Sequence, residues 1–553
     1  MKDLPDHPVD LFQLFCPESL VIKWASWTNA WVEFLIEQAG DSLSPTARLR
    51  RWKRTSVAEL YIWLSVLIYI GSHPQTRIED YWVTSSIDDD LRPTYPIIQY
   101  MTYDRFHLLF RYIRIFPPFE STSDSLNRMI SRVSEWSDHI QHISTSLFEP
   151  GTAISVDECM IRFKGRSSAK VTIPRKPTPT GLKVWAAAQQ GYFLRWRFHL
   201  PAAAVKATRK PSQRRRPRGL LATKKAADEI SLAETQAVVL DLVLQLPIAS
   251  YHVFFDNLFS TPDLLRALRE RGVAATGTAR VNSGIYKPFV KAKEQDNKGQ
   301  LMWPYNKLEA VSTADDLVNQ IAFKDNSLVL FLTSYFTGDE VEDHKRKRPS
   351  SSHRRARQAQ LFFGDIKELI IPTPSIVISY NHQMNGVDRG DQLRANCSYK
   401  HRIRRGPWQA LAWTFLLETI LTNTYILQRK SQSSWKPADN QKTWRRQLCN
   451  DIIRVYRHDG ASRKNFTSGD RKTVYSQHKH VPDFKSRECQ PCKGIQIGQI
   501  HTRSSSKRPA LAQIDGNAPK KRGRRTEYGC SVCQVPICTS QNCWYFYHQQ
   551  IIT

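Results

Sequence analysis

Two aspartates stand at the ends of apolar runs in this 553-residue chain, and two more at the start of a helical pattern. Asp157 lies in Ile154-Ser155-Val156-Asp157-Glu158-Cys159-Met160, and Asp256 in Phe254-Phe255-Asp256-Asn257-Leu258-Phe259. Both runs read as strands, and a strand end is where a loop exposes a side chain. Asp388 and Asp391 lie in Asn385-Gly386-Val387-Asp388-Arg389-Gly390-Asp391-Gln392, three residues apart, so a helix places both on one face. Taken singly, each acid is an ordinary strand-end or helix-capping residue. Gathered, they repel one another and stay ionised when a divalent cation neutralises them, which points to Mg²⁺. Two such ions activate the attacking oxygen and stabilise the leaving oxygen of a phosphodiester.

The cysteines offer a second chemistry. Six of the ten crowd between Cys489 and Cys543, in Cys489-Gln490-Pro491-Cys492, in Cys530-Ser531-Val532-Cys533, and at Cys538 and Cys543, with His548 close behind. Thiolate pairs at this spacing share a tetrahedral Zn²⁺. Counting His480 there are eight candidate ligands, the number that two four-coordinate Zn²⁺ ions require. A single site with spare cysteines is the weaker alternative. Such clustering belongs to metal binding in a reducing compartment, whereas a disulfide framework suits a small secreted chain.

Charge names the class of partner. Lys and Arg number 80 against 51 Asp and Glu, a net charge of +29, and the resulting positive field calls for a polyanion, nucleic acid first. The opening Met1-Lys2-Asp3-Leu4-Pro5-Asp6 lacks the basic-then-apolar order of a secretion signal. The apolar run 60–70 is too short to cross a bilayer, and 411–427 is interrupted by Glu418 and Asn423, so no membrane is expected. No small-molecule substrate is expected either. Lys507-Arg508, the spacer 509–519 and the cluster Lys520-Lys521-Arg522-Gly523-Arg524-Arg525 have bipartite nuclear-import spacing, and a nuclear location is expected. A phosphate-gripping tail is an alternative reading of the same residues, compatible with the first.

The acids need elements to position them. Over 1–150 apolar residues recur at three and four spacing, as at Phe106, Leu109, Phe110 and Ile113, which predicts an all-helical region. After Gly151 the period changes, and strands are predicted at Ala153-Ile154-Ser155-Val156-Asp157, at Leu182-Lys183-Val184-Trp185-Ala186 and over 192–200. A helix over 233–246, a strand over 251–256 and a helix begun by Thr261-Pro262 follow. This order predicts an α/β fold with a mixed sheet. Segments 206–225, 342–357 and 503–525 are dense in Lys, Arg, Ser and Pro, so they are expected to be loops or tails, disordered without an acidic partner.

The motifs as a set resemble a known family. Ser155-Val156-Asp157-Glu158-Cys159-Met160-Ile161-Arg162-Phe163-Lys164-Gly165-Arg166 resembles the first-aspartate motif of piggyBac transposases, continued by Pro174-Arg175-Lys176-Pro177 and Gly181-Leu182-Lys183-Val184-Trp185. Asp256-Asn257-Leu258-Phe259-Ser260-Thr261, followed by Thr276-Gly277-Thr278-Ala279-Arg280-Val281-Asn282, resembles the second, and the stretch around Asp388 the third. The resemblance spans most of 8–427. It implies an RNase H-like catalytic core with an insertion domain, preceded by an all-helical N-terminal domain and followed by a small zinc-binding domain. The implied bounds are 1–150 for a helical dimerisation and DNA-binding domain, 151–290 and 373–470 for the two parts of the core, 291–372 for the insertion and 471–553 for the cysteine-rich domain. By resemblance Asp157, Asp256 and Asp388 hold two Mg²⁺ ions, with Asp391 as a supporting acid. Likewise Cys489, Cys492, Cys530, Cys533, Cys538, Cys543, His548 and His480 hold two Zn²⁺ ions in a cross-brace finger on the transposon's terminal DNA.

The implied reaction is cut-and-paste transposition: the ends are nicked, the free 3′ hydroxyl closes a hairpin on the opposite strand, and the ends join a TTAA target. The implied partner is double-stranded DNA, both terminal repeats and target, held by a homodimer. This chain departs from the family in the basic insertion after Pro201, in the basic stretch 342–357, and in the long basic gap between its cysteine pairs, which predicts an open loop there. Two other functions stay open on sequence: a domesticated nuclear DNA-binding protein without catalytic activity, and a zinc module over 489–548 that reads chromatin or another protein. The intact acids favour the transposase.

Overall fold

A computed structural model describes residues 4–457 except 6, 84–92, 120–124, 175, 201–231, 352, 354–355, 404–405 and 432–437, and beyond these the strand segments 480–481, 487–488, 525–526 and 529–530. The first part is helical: α1 (Pro8–Phe15), α2 (Glu18–Ala39), α3 (Val57–Ser72), α4 (Tyr103–Tyr112) and α5 (Ser125–Leu147). Ser56 and Thr102 cap α3 and α4, their hydroxyls accepting from the Glu59 and Arg105 amides and so satisfying donors that have no partner within the helix. α3 is apolar on all sides and accordingly buried.

The chain then enters a sheet of β1 (Ala153–Arg162), β2 (Lys170–Thr172), β3 (Thr180–Gln189), β4 (Tyr192–Phe198), β5 (His252–Phe255), β6 (Ala274–Thr278), β7 (Leu308–Ser312), β8 (Asn319–Lys324) and β9 (Leu328–Thr333). β3 pairs antiparallel with β1 on one edge and with β2 and β4 on the other. β5 and β6 run parallel to β1, and β9, β8 and β7 extend the sheet antiparallel from β6. This mixed sheet fits a nuclease-like core. Gln190 and Gly191 turn β3 into β4 with φ of 50° and 96°, both positive as a two-residue turn matched to strand twist requires. α6 (Glu234–Leu244), α7 (Pro262–Arg269) and α8 (Lys287–Lys298) connect the later strands, with Thr261 capping α7 ahead of Pro262.

Two details differ from expectation. The first strand does not end at Asp157 but runs on to Arg162, because β3 continues to pair with it as far as Gly181. Segment 342–357 is only in part a loop. Its first part, 342–347, belongs to β10 (Val341–Lys347), and its last residue begins α9 (Arg357–Phe363), with β10 paired along its whole length to β11 (Glu368–Pro374). Charge pairing compensates for the missing apolar residues: Lys345 and Lys347 meet Glu368 across the ribbon, and the half-buried Arg346 meets Asp325 at 2.9 Å. Segment 206–225 and nearly all of 503–525 lie outside the described residues.

The remaining helices are α10 (Ser375–Gln383), α11 (Gly386–Asn396), α12 (Pro407–Lys430, with a π turn at Ala412–Leu416) and α13 (Gln441–Tyr456). α12 is long and apolar enough to cross a membrane, yet 94% of its most apolar window is buried in the protein. The chain divides into two units, Met1–Ala461 and Ser462–Thr553. In the first, one continuous apolar core joins the early helices, the sheet and the late helices. Tryptophans mark the seam: Trp24 meets Trp136 edge-on at 4.9 Å, and Trp63 meets Trp413 edge-on at 5.0 Å. In the second unit β12 (His480–Val481) pairs with β15 (Gly529–Cys530), and β13 (Arg487–Glu488) with β14 (Arg525–Thr526), all antiparallel.

Candidate active site

The last register pair between parallel β1 and β5 is Val156 with Phe255. Asp157 is the next residue on β1 and Asp256 the first residue beyond β5, so the two acids leave the paired strands side by side. They occupy the carboxyl edge of the parallel strands, where α/β sheets place their ligands. Asp157 is buried, and its carboxylate accepts the Glu158 amide at 2.7 Å. The Asp256 carboxylate accepts the Leu258 amide at 2.8 Å, a local turn that Asp favours.

The third acid arrives on α11, which lies across β1 and β3. Ser155 fixes it there: its Oγ accepts the Val387 amide at 2.9 Å and donates to the Ala188 carbonyl at 3.1 Å. Gly386 makes the approach possible, since a Cβ at that position would stand 2.5 Å from Ser155 Oγ. Asp388 thus sits in the first turn of α11, exposed, with its charge felt by Lys176 and Cys159. Asp391, one turn further on, pairs with Arg394.

Burial governs the electrostatics. Asp157 is pushed up to about 7 by desolvation first and by the neighbouring Glu158 charge second, with the Glu158 amide and Lys176 opposing and Asp256 adding to the rise. Asp256 is raised too, again by burial and then by Glu158, with Arg280 and Lys176 among the opposing groups. Crowded carboxylates in a dry site resist ionisation until a cation arrives. The donor set is all oxygen, as a hard dication prefers. Among the described residues no three His, Cys, Asp or Glu side chains converge into a ready cage, because Asp157 and Asp256 are turned onto local amides and Asp391 onto an arginine.

Several residues around the acids escaped the sequence reading. Glu158, nearly buried, lies 3.2 Å from the Lys176 ammonium and 3.9 Å from that of Lys183, which sits 3.6 Å over the Trp185 ring. Tyr380 of α10 places its hydroxyl 3.2 Å from Thr278 Oγ1, and burial, with added repulsion from Asp256 and Asp157, pushes it up to about 12. The motif strings contain Glu158, Lys176 and Lys183, but their pairing depends on the β1–β3 register: Glu158 faces Trp185, which makes Lys183 its diagonal neighbour.

Of the zinc candidates, the described residues include two backbones. His480 and Cys530 are direct register partners in the β12–β15 pair. The strands on either side of the long basic gap pair antiparallel, and the loop expected within it lies almost wholly outside the described residues. Cys489, Cys492, Cys533, Cys538, Cys543 and His548 lie outside the described residues.

The chain resembles known proteins. The chain matches the Transposase IS4 family over residues 7–425. Human PiggyBac transposable element-derived protein 2 is 25% identical over 436 residues, 78% of this chain and 62% of that protein. Human PiggyBac transposable element-derived protein 3 is 26% identical over 317 residues, 54% of this chain and 43% of that protein. The chain thus spans less than two thirds of the length of either curated relative. A cryo-EM structure of the piggyBac transposase synaptic complex with hairpin DNA shares the fold, with a TM-score of 0.59 at 18% identity over 83% of each chain. With the family match running over most of its length, this chain belongs to the Transposase IS4 family and, within it, to the piggyBac-type transposases.

Proposed function

We propose that this protein is a metal-dependent DNA transposase that excises and integrates DNA at TTAA sites through Asp157, Asp256 and Asp388. The observation that carries this reading is that Asp157 and Asp256 each directly follow the last register pair of two parallel strands, with α11 pinned beside them through Ser155. These three acids would hold two Mg²⁺ ions, which when bound supply charge for the attacking and leaving oxygens of a phosphodiester. The chain's own residues set the terms. Asp157 holds a proton up to about pH 7 and releases it as positive charge approaches. Lys176, between Glu158 and the Asp157 and Asp388 charges, partly neutralises the edge and keeps Glu158 occupied. Asp391 holds Arg394 and so supports the helix that carries Asp388.

The family supports DNA as the partner, as does the neighbour's description as a synaptic complex with hairpin DNA. In this reading the protein acts in the nucleus as a homodimer, because two transposon ends must be held together, and the cysteine-rich tail, with His480 opposite Cys530, holds two Zn²⁺ ions. The second reading is a domesticated DNA-binding protein, favoured by the human relatives being described as derived from transposable elements. An excision assay with the gene's flanking DNA as donor separates the two. Wild type should cut. Asp157→Ala, Asp256→Ala and Asp388→Ala should each abolish cutting while leaving end binding, because each removes a metal ligand without touching the basic surface. Binding without excision by the wild type gives the domesticated reading.

A further inference from the structure

The helical region carries a second cluster of like charges, opposite in sign to the carboxylates. Arg114 follows α4, Arg132 lies on α5, and both guanidiniums cover the ring of Phe116, at 5.8 and 4.8 Å from its centre. Arg114 also covers Trp31, at 4.5 Å. Burial lowers both arginines, Arg114 to about 10, and each is lowered further by another arginine, Arg132 acting on Arg114 and Arg128 on Arg132. Among the described residues no carboxylate pairs with Arg114 or Arg132, and the Arg114 bonds run to the Tyr112 and Ile113 carbonyls at 3.3 and 3.0 Å. Like charges drawn partly out of water without a counter-charge are costly, and an anion relieves the cost.

Beside them stands a group of exposed rings. Trp31 stacks on Phe34 at 5.8 Å, and Phe119 meets Phe34 edge-on at 5.4 Å. Phe119 is 59% exposed and Phe34 36%. The Trp31 indole N–H is buried and has no acceptor among the described residues. Aromatic faces in water next to cations suit one ligand in particular: a nucleic-acid strand whose bases are free to stack and whose phosphates meet the arginines. Bases within a duplex are already stacked and offer only their edges.

We propose that Trp31, Phe34, Phe116, Phe119, Arg114 and Arg132 form a binding site for an unpaired DNA strand, with bases on Phe34 and Phe119 and phosphate on the two arginines. The site uses none of the carboxylates and needs no Mg²⁺, so it stands or falls apart from the proposed cleavage.

The test is fluorescence anisotropy on the full chain without added Mg²⁺, at one fixed salt concentration, with a thymidine oligonucleotide of roughly ten nucleotides and a duplex of equal length. The double variant Phe34→Ala, Phe119→Ala should bind the single strand about tenfold more weakly or worse and the duplex unchanged. Phe34→Trp should retain binding. Arg132→Met should weaken single-strand binding and flatten the log-log salt dependence by about 0.7, with Arg132→Lys keeping the slope. Both aromatics are exposed, so melting curves should match wild type. Unchanged single-strand affinity in the aromatic double variant overturns the proposal, as does an equal loss on duplex. A change of sedimentation without a change in single-strand affinity also overturns it, and reassigns the rings to self-association.

Discussion

The guanidinium of Arg394, buried in α11, is held by the Asp391 carboxylate one turn earlier in the same helix, and it reaches from there to the carbonyls of Met160 in β1 and Thr414 in α12. One charged pair therefore ties the helix bearing Asp388 to the strand bearing Asp157. Truncating Asp391 to alanine leaves a buried cation without its counter-charge. The cost should fall below that of a fully buried pair, because Asp391 is itself a third exposed: roughly 1–3 kcal/mol. Asp388 is exposed and has no such ion pair among the described residues, so Asp388→Ala should stay within about 0.5 kcal/mol of wild type. Melting curves without Mg²⁺ check the contrast. Equal stability of the two variants would remove Asp391 from its supporting role.

Asp157 gives a pH dependence. An acid raised to about 7 keeps its proton longer in the fold than in the open chain, so the metal-free protein loses stability as pH climbs from the ordinary carboxylate range to about 7, and no further above it. Asp157→Asn removes this loss. The variant should match wild type near pH 4 and exceed it by roughly 1–4 kcal/mol at pH 8. Added Mg²⁺ should stabilise the wild type at pH 8 and the variant little. A variant no more stable than wild type at pH 8 would show that Asp157 ionises freely.

Much of this was legible in the sequence, and the parts that were not share a cause. Apolar period located β1, β3, β4 and β5, and the strings around Asp157, Asp256 and Asp388 singled out residues that the structure places at the end of the β1–β5 pairing and at the start of α11. Period alone could not say where β1 ends, since that is decided by how far β3 pairs along it. Nor could composition show that 342–347 forms a strand: Lys345 and Lys347 look like a solvated tail until Glu368, more than twenty residues on, comes opposite them. Lys176 beside Glu158 and Arg394 against Met160 are contacts of the same kind. Each depends on a neighbour that is distant in the chain.

Gly386 makes the position of α11 testable. A methyl group there would meet Ser155 Oγ at 2.5 Å, with the Ala188 carbonyl and Gln190 amide at 3.1 and 3.2 Å, and backbone cannot swing aside as a side chain can. Gly386→Ala should cost about 1–3 kcal/mol by overpacking and should abolish cleavage by lifting Asp388 from the edge, while DNA binding persists. Adding Ser155→Ala removes the nearest clashing atom, so the double variant should be less damaged than the sum of the singles, by at least about 0.5 kcal/mol. Strict additivity would mean that the helix does not press on Ser155.

The last prediction concerns the tail. His480 stands opposite Cys530 in the β12–β15 pair, a spacing that lets a histidine and a cysteine 50 positions apart serve one tetrahedral ion. Metal analysis of the full chain should give two zinc ions, and His480→Ala or Cys530→Ala should reduce the count to one. Because ligand binding supplies most of a small finger's stability, either change should also weaken what the finger recognises. Affinity and preference should then separate. At +29 the chain has phosphate contacts to spare, so duplex affinity should fall steeply with salt, by about 0.9 log units per log unit of salt for each contact. Deleting 489–553 should leave much of that salt-sensitive affinity and erase the preference for terminal repeats over random DNA, since phosphate contacts position a protein while base contacts specify it. Competition binding at one fixed salt concentration decides the matter. Equal discrimination by the truncated and full-length chains would move end recognition out of the tail and onto the helices or the β10–β11 ribbon.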